Sequence, residues 1–237
     1  MRSRIIVLVL LLLALCIFVI PPAVSDPVDE AGWYAAGQNQ TAAGNYTAAL
    51  YDYKQAISLD SANAEAWDGM ADVLNRANPY TSNPLATLNL ALDASNQSLA
   101  LNSSSAPAWI NHGLILYNIG SYYQNQLNDK TTADIYYNKQ LDAFNQAISI
   151  DPDNAEAWFN KAYALCGMGR CTEGVAAFQK VEQLDPSYPY LEGNLQNAEK
   201  LAATETPVYV KYAVEIVLIA IVIVAAAFWY IAVRRKY

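Results

Sequence analysis

The sequence QAISLDSANAEAW at Gln55 to Trp67 returns as QAISIDPDNAEAW at Gln146 to Trp158 and, with more changes, as QSLALNSSSAPAW at Gln97 to Trp109. Ten of the thirteen positions are identical in the first two copies. A short repeat with one apolar face cannot bury that face alone, so copies stack side by side. The sequence therefore predicts an array of stacked repeats with an extended surface that can bind other molecules.

The residues around the first copy have the spacing of a helix that is buried on one side. Apolar residues recur at i, i+4, i+7 and i+8 in the run Ala49, Tyr53, Ala56 and Ile57. Pro152 and Pro186 follow similar segments, and a proline stops one helix before the next begins. The pattern indicates helices separated by short turns.

These features resemble the tetratricopeptide repeat, in which each unit of 34 residues is a pair of antiparallel helices. The positions that carry the resemblance are Trp33, Gly44, Tyr46, Ala49, Tyr53, Ala56 and Ile57, and later Trp158, Gly169, Phe178 and Pro186. The resemblance implies an all-α, right-handed superhelix of antiparallel helix pairs over residues 29–201. Units are expected near 30–63, 64–105, 106–154 and 155–187, followed by a capping helix at 188–201.

The four tryptophans that mark the units are 34, 42 and 49 residues apart, so the second and third units are longer than the first. Helical spacing continues through the third unit, which predicts an elongated helical hairpin near Tyr122 to Tyr137, with a loose loop as the alternative. The segment Asn78 to Pro84 predicts a turn-rich loop in the second unit. The resemblance implies that the tryptophans fill the core between units; exposed anchors for a ligand are the alternative.

The first 25 residues have the pattern of a signal peptide. Arg2 and Arg4 precede an apolar run from Ile5 to Ile20, and the small residues Ala23 and Ser25 suit cleavage after Ser25. An uncleaved membrane anchor is the alternative.

A second apolar segment at residues 212–233 is long enough to form one transmembrane helix, and a short linker at 202–211 precedes it. The basic tail at 234–237 contains Arg234, Arg235 and Lys236, which favour the cytoplasmic side. Basic residues thus lie at both ends of the chain. This arrangement predicts a single-pass protein of the cell membrane with its repeat domain outside and its C-terminus in the cytoplasm.

The part of the chain between the two apolar segments is strongly acidic. The residues from Asp26 to Glu215, which include the entrance of the second segment, hold all 22 acidic residues and nine of the 14 basic ones, a net charge of about −13, which argues against nucleic acid as a partner. Export is consistent with four N-glycosylation patterns, at Asn39, Asn45, Asn96 and Asn102. Cys166 and Cys171 are expected at the end of one helix and the start of the next, where they could form a disulfide or stay as free thiols.

The sequence offers little for catalysis. His112 is the single histidine, and its place in a repeat helix favours a packed interior residue; no metal site, cofactor site or phosphate-binding loop is predicted. We therefore expect a protein that is not an enzyme.

The resemblance implies a concave face, formed by the first helix of each unit, that binds a peptide segment or a protein partner associated with the cell surface or membrane. The residues expected to line it are Tyr34, Gln38, Glu65, Asp68, Asp72, Asn111, Tyr117, Phe159, Asn160 and Tyr163. A ligand with a basic portion fits the acidic end best. The alternatives are a receptor for a small cell-wall peptide or glycan, and an accessory subunit of an export or surface-appendage complex.

Overall fold

The computed structural model describes residues 29–205 and 217–223. Within residues 29–205 the chain forms nine α-helices and a short 3-10 helix at Asn78–Tyr80. The α-helices are α1 Glu30–Ala42, α2 Tyr46–Leu59, α3 Ala64–Ala77, α4 Pro84–Leu101, α5 Ala106–Asn125, α6 Lys130–Ile150, α7 Ala155–Gly167, α8 Cys171–Leu184 and α9 Leu191–Ala202. The described part is thus all-α, as expected.

The expected signal peptide at 1–25 and basic tail at 234–237 lie outside the described residues. Of the apolar segment at 212–233, only residues 217–223 are described, and they are helical and exposed. Of the linker, only residues 202–205 are described. No helix within the described ranges combines the length and the apolarity needed to cross a bilayer.

Polar side chains fix where most of the helices begin. Asn63 Oδ1 accepts a hydrogen bond from Ala66 N at 2.7 Å, and Asn154 Oδ1 does the same for Ala157 N at 2.9 Å. Each bond satisfies a backbone N–H that has no partner inside its helix. The same role is played by Asp29, Asn83, Ser105 and Asp129.

The helices pair into four hairpins, α1–α2, α3–α4, α5–α6 and α7–α8, and α9 packs on the last of them. The first helices of successive hairpins also pack on each other, whereas no contact between successive second helices is found within residues 29–205. The first helices therefore form an inner layer and the second helices spread on the outside. This packing gives a curved solenoid with a concave inner face.

In the described residues the core consists of four clusters in series, three at the junctions between neighbouring units and one between the last unit and α9. In the first junction Tyr53 is buried against glycines on two inner helices. A Cβ added at Gly37 or Gly69 would lie 2.8 or 2.5 Å from the Tyr53 ring. Phe144 has the same relation to Gly113, at 2.5 Å, so small residues make room for one large ring at these junctions.

The tryptophans are half-buried and fasten the turns between units. Trp67, Trp109 and Trp158 each pack against a core cluster, which confirms the expectation that they are packing residues. Their indole N–H groups donate to the backbone oxygens of residues six positions earlier, at 3.0, 2.9 and 2.8 Å. Trp33 instead meets the Tyr51 ring edge-on, with centroids 5.7 Å apart.

The elongated hairpin predicted for the third unit is confirmed. Helices α5 and α6 contain 20 and 21 residues, whereas α7 and α8 contain 13 and 14. Tyr123 and Tyr136 stack near its tip, with centroids 5.6 Å apart.

The turn-rich loop predicted at Asn78 to Pro84 is only partly correct. Three of its residues form the 3-10 helix, and Pro84 is the first residue of α4, which reaches 18 residues. Proline suits that position because the first helical N–H needs no partner within the helix.

Candidate functional site

The inner face carries an acidic groove of about 440 Å³ across the first three units. Six of the ten residues expected on the concave face line it: Tyr34, Gln38, Glu65, Asp68, Asp72 and Asn111. Glu156 of α7 also reaches the groove. The structure therefore brings together side chains that are up to 122 positions apart in the sequence.

The centre of the acidic groove is a contact between α3 and α5. Asn111 is 9 % exposed, and its Nδ2 donates to Asp68 Oδ1 at 2.9 Å and to Asp68 O at 3.2 Å. Asn111 Oδ1 is buried and has no hydrogen-bond partner within the described residues. The amide is thus held in one orientation by Asp68.

The carboxyl group of Asp68, at the centre of the acidic groove, has a raised pKa. Burial raises its pKa above the ordinary value, the hydrogen bond from Asn111 opposes that rise, and the neighbouring charges of Asp72 and Glu65 add to it. The groove thus contains a carboxylate that is poorly solvated when it is ionised.

A single basic side chain, Arg76, lines the groove in the described residues, and it is already paired. Its Nε donates to both carboxylate oxygens of Asp72, at 2.8 and 2.7 Å. Glu65, Asp68 and Glu156 form no salt bridge within the described part of the chain. The groove consequently offers more acceptors than donors.

Two more of the expected residues, Tyr117 and Tyr163, line a separate cavity of about 360 Å³ between the elongated hairpin, the end of α7 and α9. We call it the tyrosine–amide cavity. Three tyrosines and five side-chain amides give it this name: Tyr117, Tyr137, Tyr163, Gln124, Asn125, Gln140, Asn194 and Asn197. The other lining residues are Ser121, Ala164, Cys166, Gly167, Met168, Phe178, Ala198 and Leu201. Sequence reasoning missed the contributions of α6 and α9. The repeat pattern places ligand residues on first helices alone, so it gave no signal for them.

Phe159 and Asn160 line neither surface. Phe159 belongs to the last core cluster, with its ring centroid 5.3 Å from that of Phe178 and 4.9 Å from that of Tyr188. Phe159 is thus half-buried and packs against Tyr188 of the capping segment. Asn160 is half-buried on α7.

Of the two alternatives left open for Cys166 and Cys171, the structure has the free thiols. Burial, assisted by a hydrogen bond with Cys171, raises the pKa of the Cys166 thiol to about 12. The first turn of α8 is capped from a distance by Glu205, whose carboxylate accepts hydrogen bonds from Cys171 N and from Thr172 N, the latter at 2.9 Å.

The four glycosylation patterns fall on or beside helices α1, α2 and α4. Asn39, Asn45 and Asn96 are exposed. Asn102 is half-buried, accepts a hydrogen bond from Ser104 N at 3.1 Å, and lines the acidic groove. A glycan on Asn102 would therefore crowd the groove, whereas the other three would not.

His112 is packed between helices. Its Nδ1 lies 2.9 Å from Ser95 Oγ, and its ring meets the Trp109 ring edge-on at 5.8 Å. Burial, with a smaller effect of the Lys139 charge, lowers its pKa to about 4, so the imidazole is neutral at pH 7. Across the described ranges, no three His, Cys, Asp or Glu side chains are grouped so that they could hold a metal ion.

Two segments of the chain match models of one repeat family. Residues 37–76 match a model described as TPR repeat, and residues 143–174 match one described as tetratricopeptide repeat. No curated protein matches the chain in sequence.

Solved structures share the fold at low sequence identity. A thermophilic TPR protein of Thermus thermophilus, TTC0263, is 18% identical with a TM-score of 0.59, over 73% of this chain and 82% of that one. The pilF protein of Pseudomonas aeruginosa is 16% identical with a TM-score of 0.53, over 73% and 75%. MamA of Desulfovibrio magneticus RS-1 is 19% identical with a TM-score of 0.51, over 68% and 78%. The helical array described above is accordingly an all-α solenoid like that of tetratricopeptide-repeat proteins.

Proposed function

We propose that this protein is a non-enzymatic scaffold on the outer face of the cytoplasmic membrane, which holds a partner protein by a basic segment bound in the acidic groove. Tetratricopeptide repeats generally mediate protein–protein interactions, and their concave faces supply the binding surface. The proposal adds a location and a ligand chemistry to that general role.

The excess of hydrogen-bond acceptors in the acidic groove supports a basic ligand. Glu65, Asp68 and Glu156 have no basic partner in the described residues, and Asn111 Oδ1 has no donor. Lysine ammonium and arginine guanidinium groups carry only donors, so they complement such a surface. Arg76 does not compete with a basic ligand for these carboxylates, because its guanidinium group already pairs with Asp72.

The membrane location is supported by the sequence. Basic residues flank apolar runs at both ends of the chain, and the described residues 217–223 within the second run are helical with exposed apolar side chains. A scaffold fixed beside the bilayer would raise the local concentration of the partner that it holds.

Binding of a lysine-containing peptide to the full-length protein tests the ligand chemistry. Fluorescence anisotropy would compare a labelled peptide with the same peptide after lysine acetylation, which removes the charge. We expect the acetylated peptide to bind at least about tenfold more weakly, because each lost charge-assisted hydrogen bond is worth on the order of 1.5 kcal/mol.

A matched pair of double variants locates the binding surface. Glu65→Gln with Asp68→Asn removes two charges from the groove, whereas Asp142→Asn with Glu182→Gln removes two exposed charges from the outer helices α6 and α8. The groove variant should lose most of the affinity and the outer variant little. Equal losses in both would mean that net charge alone attracts the peptide, and the proposed site would be abandoned.

Protease accessibility tests the proposed location outside the cytoplasmic membrane. Protease added to intact source cells should digest the repeat domain and leave a C-terminal epitope tag protected until the cells are lysed. A repeat domain that survives in intact cells and is cut only after lysis would overturn the outer placement.

A further inference from the structure

The tyrosine–amide cavity differs in chemistry from the rest of the inner face. None of its sixteen described lining residues is charged, in a chain with 22 acidic and 14 basic residues. Three tyrosines supply ring faces, and Tyr163 is 52% exposed. The rings of Tyr117 and Tyr137 lie side by side, with centroids 6.1 Å apart and planes tilted by 35°.

The cavity also contains a buried amide without a partner. Gln140 of α6 is 4 % exposed, lines the cavity, and its side-chain amide makes no hydrogen bond within the described part of the chain. A polar amide in a mostly buried side chain is stabilised by hydrogen-bond partners. A ligand in the cavity that donates and accepts hydrogen bonds would supply them.

The other amides of the cavity are oriented by neighbours and keep spare capacity. Gln124 Oε1 accepts from Tyr137 Oη at 3.0 Å, which leaves the Gln124 amide N–H groups free. Asn194 Nδ2 donates to Tyr190 O at 2.8 Å, which leaves Asn194 Oδ1 free to accept. The cavity therefore contains both spare donors and spare acceptors.

We propose that the tyrosine–amide cavity binds a neutral sugar. A sugar ring has an apolar C–H face that packs on tyrosine and a rim of hydroxyl groups, each able to donate and accept like the amides around it. The cavity volume of about 360 Å³ lies within the range of small-molecule sites. The absence of charged side chains from the described lining disfavours acidic and basic ligands.

The arrangement of the amides favours a sugar over a neutral peptide. An extended peptide presents its N–H and C=O groups along a line, and a row of amides on successive units would match them. Here Gln124, Gln140 and Asn194 come from α5, α6 and α9 and converge on one compact space. This site is distinct from the acidic groove, so it adds a second ligand to the proposed scaffold.

Calorimetric titration of the full-length protein tests the proposal. The protein is held in a zwitterionic detergent, because detergents with sugar headgroups would compete for the site. The probes are the neutral disaccharides diacetylchitobiose, cellobiose and maltose, with the acidic sugar sialyllactose and a neutral Ser-Asn-Tyr peptide as comparisons. We expect one or more neutral disaccharides to bind, and neither comparison to compete.

Three variants identify the site. Gln140→Met removes the amide at similar volume, and Tyr163→Ala removes an exposed ring; each should weaken sugar binding about tenfold. Tyr80→Ala, at a tyrosine that is 83 % exposed outside the cavity, should have no effect. All three variants should bind the lysine peptide as the wild type does, which separates this proposal from that for the acidic groove.

The proposal is overturned if no neutral disaccharide binds, or if one binds equally well to the Gln140→Met and Tyr163→Ala variants. It is also overturned if the neutral peptide binds in the cavity and the sugars do not. Circular dichroism checks that each variant is folded. Should Gln140→Met unfold, Tyr163→Ala decides the matter, because its side chain is half-exposed.

Discussion

Asparagine side chains supply much of the polar order between the inner helices. Asn118 Nδ2 donates to Asn75 Oδ1 at 2.7 Å, about two turns along α5 from the bond that joins Asn111 to Asp68. Both bonds join α3 to α5 over a separation of 43 residues. Since amides donate and accept without charge, they can join helices at a partly buried surface at a lower desolvation cost than charged side chains.

His112 makes the folded state sensitive to acid. Its pKa falls from 6.5 to about 4 on folding, so the unfolded chain binds more protons between these values and stability is lost as the pH falls through that window. The full effect is on the order of 3 kcal/mol. We expect His112→Gln to lose less stability than the wild type between pH 7 and pH 4, as measured by urea unfolding.

Because the chain has one histidine, the acid sensitivity that remains in His112→Gln belongs to its carboxyl groups. The comparison uses the change with pH within each protein, so a constant cost of the substitution does not matter. Parallel stability curves for the two proteins would show that the imidazole is not shielded as described.

The tryptophan side chains stabilise the turns that join neighbouring units. The indole N–H of Trp67 holds the turn between α2 and α3 by its bond to Ser61 O at 3.0 Å. Trp67→Phe keeps an aromatic ring in the core and removes this bond, so we expect a loss of about 1 kcal/mol in the free energy of unfolding.

Trp33→Phe is the matched control, because the Trp33 indole N–H donates no hydrogen bond within the described residues. Chemical denaturation of both variants provides the measurement. A cost for Trp33→Phe as large as that for Trp67→Phe would assign the effect to lost ring area.

The helical hairpins could be predicted from the sequence, and the errors of that prediction have physical causes. The tryptophan spacing and continuous helical periodicity were sufficient for α5 and α6. The start of α4 was missed because Asn83-Pro84 suits a turn and a helix start equally well. Phe159 was assigned to the ligand face because the repeat pattern cannot specify where α9 covers the last unit.

The same limit explains what could be predicted of the candidate sites. The acidic groove lies mainly on first helices, so the concave face implied by the resemblance includes most of its acidic lining. The tyrosine–amide cavity needs Gln140 from an outer helix and Asn194 from the cap. Its formation depends on the extra length of α5 and α6, which no regular repeat specifies.

The described inner face is acidic in the groove and uncharged in the tyrosine–amide cavity, so binding of a basic partner should depend on pH and salt. Burial raises the pKa of Asp68, so this carboxylate becomes protonated at a higher pH than an ordinary aspartate. We expect lysine-peptide affinity to fall as the pH is lowered from 7 toward 4, and to fall with added salt, because protonation and screening both weaken the attraction. Anisotropy titrations at several pH values would measure both effects.

Asp68→Asn is the informative variant. It should bind more weakly at pH 7 and show a flatter pH dependence. Because the folded pKa of Asp68 is above the unfolded one, the wild type loses stability as the pH rises through that interval, and Asp68→Asn should be spared this loss. Unchanged pH dependence in the variant would assign the effect to another carboxylate.

The bond between Glu205 and the first turn of α8 has a mechanical consequence. Glu205 follows α9, and its carboxylate holds Thr172 N at 2.9 Å and Thr172 Oγ1 at 2.7 Å. Tension on the chain beyond residue 205 would therefore load α8 directly instead of peeling α9 away by itself. In the scaffold that we propose, a load from the bound partner would be resisted at the last complete hairpin, and the capping segment over Phe159 would stay in place.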